Sequence, residues 1–357
     1  VQTIAEIVSK TTSRTTIHDI ASALGLNAST ISRALSGNTA VSERTRELVR
    51  AKARELNYQP NHIAAALRRG RSNILGVIIP AADRTFFASI IRGIEEEADE
   101  AGFRVVVCQS YDSSARERDM VETLRRLQVD GIMISTAKDG ENNSRFYEQI
   151  TSSSNIPVQF FDNVPQGLNA ASVVINDFQG AYLATTHLIE QGYQLIAHLR
   201  GPQHLHIYRD RYRGYLDAMA DAGREVRQEF VVDIVSHLDS GKEAFQKLWS
   251  LPVRPDAIFS ASDYSAAGGL KAAQALGVKV PEELAFIGFA NEPFTELLTP
   301  TLSSVDQCTL LMGRETARRT IESLKRKKKK PETANRLVIS PKVIVRASSL
   351  NPNISNS

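Results

Sequence analysis

The 357-residue chain is poor in the features that mark several large classes of protein. It has two cysteines, Cys108 and Cys308, too few for a disulfide framework or a Cys-based zinc cluster. Its longest apolar run, Ile74–Ile79, stops at Pro80, far short of the ~18 residues of a membrane-crossing helix. The N-terminus shows no basic-then-apolar leader, and residues 1–14 have no clear pattern and read as a leader or a remnant. Catalytic signatures are missing as well. There is no G-x-x-x-x-G-K-[ST] loop, no G-x-G-x-x-G after a strand, no H-E-x-x-H and no G-x-S-x-G elbow. His204 and His206 lie two apart but lack a third ligand, and read as polar loop residues beside a cleft rather than a metal pair. The expectation is a soluble cytoplasmic protein that is not an enzyme, holds no cofactor or metal and has no membrane partner.

What is present is unevenly distributed. Residues 1–72 hold eleven Lys/Arg against five Asp/Glu, a net +6, which leaves −3 on the remainder of a chain whose total is +3. A small basic front end on a mildly acidic body suits a polyanion-binding module joined to something else. Thr16-Ile17-His18-Asp19 has the [ST]-x-x-[DE] form of a helix start. Ile17, Ile20, Ala21 and Leu24 follow at helical spacing, and Gly25 ends the helix. Asn27 caps a second helix, Ala28 to Leu35, and Ser42 a third that runs to about Leu56. Two short helices joined by a tight Gly-containing turn make a helix-turn-helix. In such a unit the second helix enters the DNA major groove.

On that helix Ala28, Ser29 and Arg33 fall on the exposed side, while Ile31 and Leu35 turn inward. Arg33 has the fork that suits guanine O6/N7, and Ser29, Thr30 and Ser32 reach phosphates or bases. With the cap residues Thr16 and Asn27 they form the candidate major-groove set. Pro60 then opens an Ala-rich segment from Asn61 to Gly70. It is helical in composition but, at about two turns, marginal in water unless a surface orders it.

Beyond Ser72 strands alternate with helices. Apolar runs at Ile74–Ile79, Arg104–Cys108, Gly131–Ile134, Pro157–Phe161, Val173–Ile175, Leu195–Leu199, Phe230–Ile234, Ala257–Phe259 and Leu284–Gly288 read as buried strands. Ile90, Ile94 and Ala98, opposite Glu95, Glu96 and Glu97, typify the helices between them. Alternation of this kind specifies parallel sheets covered by helices, here two α/β lobes.

Three stretches together are specific: Thr16 to Ala21, Ser29-Thr30-Ile31-Ser32-Arg33-Ala34-Leu35-Ser36-Gly37, and Asn57-Tyr58-Gln59-Pro60-Asn61 through Ala64 and Leu67. Joined by Ile74–Pro80, Phe86-Phe87, Asp130-Gly131, Arg211 with Gly214, and Ser262-Asp263, they resemble the lactose-repressor (LacI) family over residues 15–348. The resemblance implies an α/β architecture with an all-α DNA-binding head over 15–59, a hinge helix and linker over 60–72, and a periplasmic-binding-protein-like core with parallel sheets over 73–348. The N-lobe would take about 73–175 and 303–330, the C-lobe about 176–302 and 331–348. It further implies a homodimeric regulator, mostly of the repressor kind, on a pseudo-palindromic double-stranded DNA operator, under a sugar-like small-molecule effector. Asn61, Ala64 and Leu67 would act in the minor groove, with Leu67 as a wedge that partly unstacks a base step.

Phe86, Phe87, Asp112, Asp162, Arg211, Asp263 and Asn291 would line the effector cleft, although one of the two phenylalanines can equally pack inside its lobe and Asp263 can equally cap a helix. The chain departs from the family at Ala290, where many relatives place an aspartate, and at Asn176-Asp177, where the order of an Asp-Asn pair is reversed. The run Lys325–Lys330 reads as a solvated crossover loop, and the tail from Asn351 lacks the leucine heptads that make some relatives tetramers. The rival readings are a ligand-binding protein of the transport type and a sugar-acting enzyme on the same scaffold.

Overall fold

A computed structural model describes residues 15–58, 71–139, 143–153, 156–325 and 335–354. The chain divides at Ser72 into two compact units. In the first, α1 (Ile17–Leu24), α2 (Ala28–Leu35) and α3 (Glu43–Glu55) follow the cap signals closely. The Asp19 carboxylate accepts from both the N–H and the hydroxyl of Thr16, at 2.7 and 2.8 Å, and these bonds hold its pKa below the usual value. Gly25 closes α1 at φ +63, a left-handed conformation that costs glycine nothing. The three helices bury Ile20, Ile31, Ala34, Val41, Val49 and Ala53 in one small core. The Arg46 guanidinium ties the start of α3 to the turn after α2 through the Gly37 carbonyl at 3.1 Å.

The second unit contains two six-stranded sheets. The first comprises β1 (Ile74–Ile79), β2 (Arg104–Gln109), β3 (Gly131–Ile134), β4 (Val158–Phe161), β5 (Ser172–Ile175) and β11 (Arg336–Ile339). The second comprises β6 (Ile196–Arg200), β7 (Val231–Asp233), β8 (Ala257–Ser260), β9 (Ala285–Ala290), β10 (Ser303–Asp306) and β12 (Lys342–Ile344). Their orders, β11-β5-β4-β3-β1-β2 and β12-β10-β9-β8-β6-β7, are alike. Every recorded pair is parallel except β10 with β12. Helices α4 (Thr85–Glu100), α5 (Ser114–Arg126), α6 (Ser144–Ser153) and α11 (Thr309–Lys325) belong to the first lobe. Helices α7 (Asp177–Glu190), α8 (His206–Asp221), α9 (Leu238–Trp249) and α10 (Asp263–Ala275) belong to the second.

Two expectations are corrected here. Residues 303–306, assigned from sequence to the N-lobe, pair with β9 in the second sheet. Residues 336–339, assigned to the C-lobe, return to the first sheet beside β5. The chain therefore crosses between lobes after β5, after β10 and after β11, and only residues from about 342 onward rejoin the C-lobe. Sheet membership depends on a hydrogen-bonding partner outside the strand's own stretch, 16 residues away for Ser303 with Ile287 and 164 for Arg336 with Ser172, which short strands do not encode locally. Arg104–Cys108, read as buried, is the core of an edge strand whose Val106 and Val107 are 37% and 41% exposed.

The lobes owe their tight helix pairing to glycine. A Cβ on Gly313 of α11 would lie 2.1 Å from the Ile90 carbonyl oxygen, and one on Gly93 of α4 would lie 2.3 Å from that of Leu310. Because both obstacles are backbone, the helices must separate to accept a methyl group. Gly313→Ala is therefore expected to cost about 1–3 kcal/mol of body stability; a urea midpoint equal to that of the wild type would contradict this close crossing.

Candidate nucleic-acid interface and ligand cleft

Burial sorts the residues of α2. Ile31 and Ala34 are fully buried, Asn27, Ser29 and Arg33 are exposed, and Ala28, Thr30 and Ser32 are half-buried between the two sides. Asn27 receives the first N–H groups of the helix through its backbone carbonyl. Its side chain makes no cap bond, contrary to the expectation, and so its amide stays on the open face. Thr16 is exposed beside its Asp19 partner. Arg44, Arg50 and Arg54 add exposed positive charge on α3, whereas Arg46 and Lys52 are paired with Glu43 and Glu55. This is the polar and basic surface that a groove-reading helix requires. The hinge candidates Asn61, Ala64 and Leu67 lie outside the described residues, as do residues 1–14 and all of the basic run except Lys325, the last residue of α11.

The two lobes of the body face each other across a cleft at the carboxyl ends of their strands, where open α/β sheets bind ligands. Arg211, on α8, projects into it and is only 5% exposed. Its Nε donates to Asp177 Oδ1 at 2.8 Å, its Nη1 to the Ala261 carbonyl at 2.8 Å, and its Nη2 to Gln307 Oε1 at 3.5 Å. The Phe289 ring lies 3.7 Å from the guanidinium carbon. Burial pushes the Asp177 carboxyl up to about 6, and the Arg211 charge pulls against that rise. The guanidinium is thus locked in orientation before any ligand arrives, with two of its five N–H donors still to be engaged.

The other expected cleft residues divide. Phe86 and Phe87 both face the cleft and meet edge to face at 5.0 Å. Phe87 is buried in the lobe core and Phe86 is half-buried, so the packing role falls to Phe87. Asp162 lines the cleft just after β4, at φ +56, and accepts from the Ser135 hydroxyl at 3.0 Å. Asp263, at the start of α10, is fully buried. Its two oxygens accept from the Glu292 N–H at 2.8 Å and the Ser304 hydroxyl at 2.6 Å, which commits it to bracing the β9 exit. Burial raises this carboxyl to about 7 against those bonds.

Two candidates turn elsewhere. Asp112 is exposed and accepts from the Lys138 N–H at 3.2 Å, which steadies the loop after β3. Asn291 Oδ1 accepts from Arg346 Nη2 at 2.9 Å, and its neighbour Glu292 lines the cleft instead. Sequence reasoning missed Asp177, Tyr208, Phe289 and Glu292. The swapped Asn176-Asp177 pair, which looked like a mere departure, was the available signal for the first. His204 donates through Nε2 to the Lys138 carbonyl at 3.3 Å. No group of three metal-ligating side chains occurs among the described residues, and none of their helices is long and apolar enough to cross a membrane.

A groove-reading head joined in one chain to a two-lobed body with a preset guanidinium in its cleft defines a transcriptional regulator rather than an enzyme. Two family profiles match, bacterial regulatory proteins of the lacI family over residues 16–61 and a periplasmic binding protein-like domain over residues 185–349. The HTH-type transcriptional regulator DegA of Bacillus subtilis is 32% identical over 94% of this chain and 98% of its own. The ribose operon repressor of Halalkalibacterium halodurans is 33% identical over 93% of this chain and 96% of its own. The chain belongs to the LacI family. Among solved structures, a complex of the transcriptional regulator CelR with cellobiose superposes with a TM-score of 0.69 at 28% identity, covering 94% of this chain and all of that one. The Lac repressor dimer bound to operator and an anti-inducer reaches 0.83 over 95% of this chain and all of that one, and at 23% identity it shows the fold alone.

Proposed function

We propose that this chain is a repressor that grips a pseudo-palindromic operator as a homodimer in the bacterial cytoplasm, and that a sugar or sugar derivative bound between the lobes sets its affinity. The observation that carries the reading is the division of α2, with Ile31 and Ala34 sealed into the head core while Ser29 and Arg33 stand on the open face. The names of a ribose operon repressor and a cellobiose-bound regulator among its relatives favour a sugar in the cleft. So do the two N–H donors of Arg211 left for a ligand's oxygens, and Asp162, whose carboxylate suits a hydroxyl. Self-association is supported by the edge strand β2, since an open edge carrying Val106 and Val107 is a surface that another chain can cover.

DNA binding measured against salt tests the head, because neutralising phosphates gives a steep log–log slope. Footprinting tests the operator, and a protected palindrome is the expected result. Leu67→Ala is expected to weaken operator binding by the contribution of the wedge while leaving dimerisation and ligand binding intact. Operator affinity equal to the wild type's would remove Leu67 from the minor groove.

A further inference from the structure

Glu292 leaves the end of β9 in the second lobe but is 5% exposed against the first. Its backbone is fixed from its own lobe by the bond from its N–H to Asp263. Its side chain faces the start of α4, a helix whose N-cap residue, Arg84, makes no cap bond. Arg84, the Thr85 hydroxyl and the Phe86 N–H all favour the Glu292 carboxylate there, although burial outweighs them and raises its pKa. A helix N-terminus has unfilled N–H groups and a positive end, so a carboxylate from the opposite lobe is a fitting partner. One oxygen is left over. Glu292 lines the cleft, and its Oε2 is buried with no hydrogen-bond partner among the described residues.

We propose that Glu292 is an effector-contact residue whose Oε2 accepts a hydroxyl of a neutral saccharide held between the lobes. The inference rests on the sugar reading of the cleft and narrows it. A buried carboxylate oxygen without a donor is unfavourable, and a ligand hydroxyl removes that defect. The surroundings suit a saccharide, with Phe86 and Tyr264 offering apolar faces and Asp162 a second acceptor from the other lobe. Arg84, Lys138 and Arg211 also line the cleft, but a phosphate or carboxylate placed at Oε2 would meet the Glu292 carboxylate at contact distance. Because Glu292 touches both lobes, a ligand bound to it also reports on their closure.

The test uses the whole chain with ribose, glucose and cellobiose as probes, and ribose 5-phosphate and gluconate as anionic counterparts. Wild type and Glu292→Gln are followed by calorimetric titration and thermal unfolding. The expected result is that a neutral sugar binds, that Glu292→Gln weakens it by about ten- to a hundredfold, and that ligand-free Glu292→Gln has a Tm equal to or above the wild type's. Sugar affinity unchanged in Glu292→Gln would overturn the assignment of Glu292 and leave the sugar reading standing. A lower ligand-free Tm with unchanged affinity would make Glu292 a helix cap only, and tighter binding of an anionic counterpart would reverse the ligand class. If none of the probes binds the wild type, the sugar reading fails and this inference with it.

Discussion

Arg211→Leu is expected to destabilise the body by about 3–5 kcal/mol and to abolish effector binding. The stability loss comes from what is left behind more than from what is removed. Asp177 is buried, and the guanidinium at 2.8 Å is its compensating charge. The pH dependence follows from the raised carboxyl, about 6 in the fold against an ordinary 3.8. A carboxyl raised on folding contributes stability that is complete below its unfolded value and is lost as pH rises through the folded value. Without Arg211 that folded value climbs further. The deficit of the variant should therefore be small near pH 5, where Asp177 can hold a proton, and full near pH 8. Urea titrations at the two pH values measure it, and a deficit independent of pH would mean that Asp177 is not the group left exposed to the loss. Replacing both residues by leucine should recover most of the stability, since paired buried charges contribute little net. It should not recover ligand binding, because the donors for the effector are gone. A double variant that binds effector normally would take Arg211 out of the site.

Ile31→Ala is the second large effect. Among the described residues the head keeps six side chains in its buried cluster, and Ile31 sits between α1 and α3 with no exposure. Truncating a buried isoleucine costs about 2–5 kcal/mol, and a unit of this size has little stability in reserve. Operator binding should disappear at growth temperature, while the effector-induced rise in the Tm of the body persists. Operator binding unimpaired in Ile31→Ala would show that the head core is not organised around α2. Arg33→Ala makes the contrast, because Arg33 is exposed and the head should stay folded. If Arg33 reads a guanine, its loss relaxes base choice at one symmetric position of the operator by about 1–3 kcal/mol. A loss uniform across all sequences would assign it to phosphate instead.

The head was nearly complete in the sequence because its signals are local. Caps, glycine stops and apolar spacing within ten residues placed all three helices; the details misjudged were Ala28, which is half-buried, and the Asn27 side chain, whose carbonyl does the capping alone. In the body the apolar runs marked nine strands, and the strands they failed to mark are informative. Ser303–Asp306 is half serine, and Arg336–Ile339 is an edge strand with an exposed valine. Neither carries enough apolar character to stand out, and each acquires its identity from the strand it pairs with. Arg211 and Asp162 were recognisable in the cleft. Asn291 and Glu292 were not separable from sequence, because Ala290 and Asn291 take φ values of +140 and +55. At that exit the strand's alternation of side chains breaks down, and the residue expected to line the cleft turns to Arg346 while the next one lines it.

Order along the chain settles what short-range physics can settle: a basic helical head, a break near Ser72, alternating strands and helices after it, and an arginine three residues before a glycine on α8. Folding in three dimensions assigned each strand to a lobe, paired Arg211 with Asp177, occupied both oxygens of Asp263 and left one of Glu292 open. Those outcomes depend on groups that meet from distant parts of the chain, where burial decides which charges must be paired and backbone geometry decides which side chains can reach.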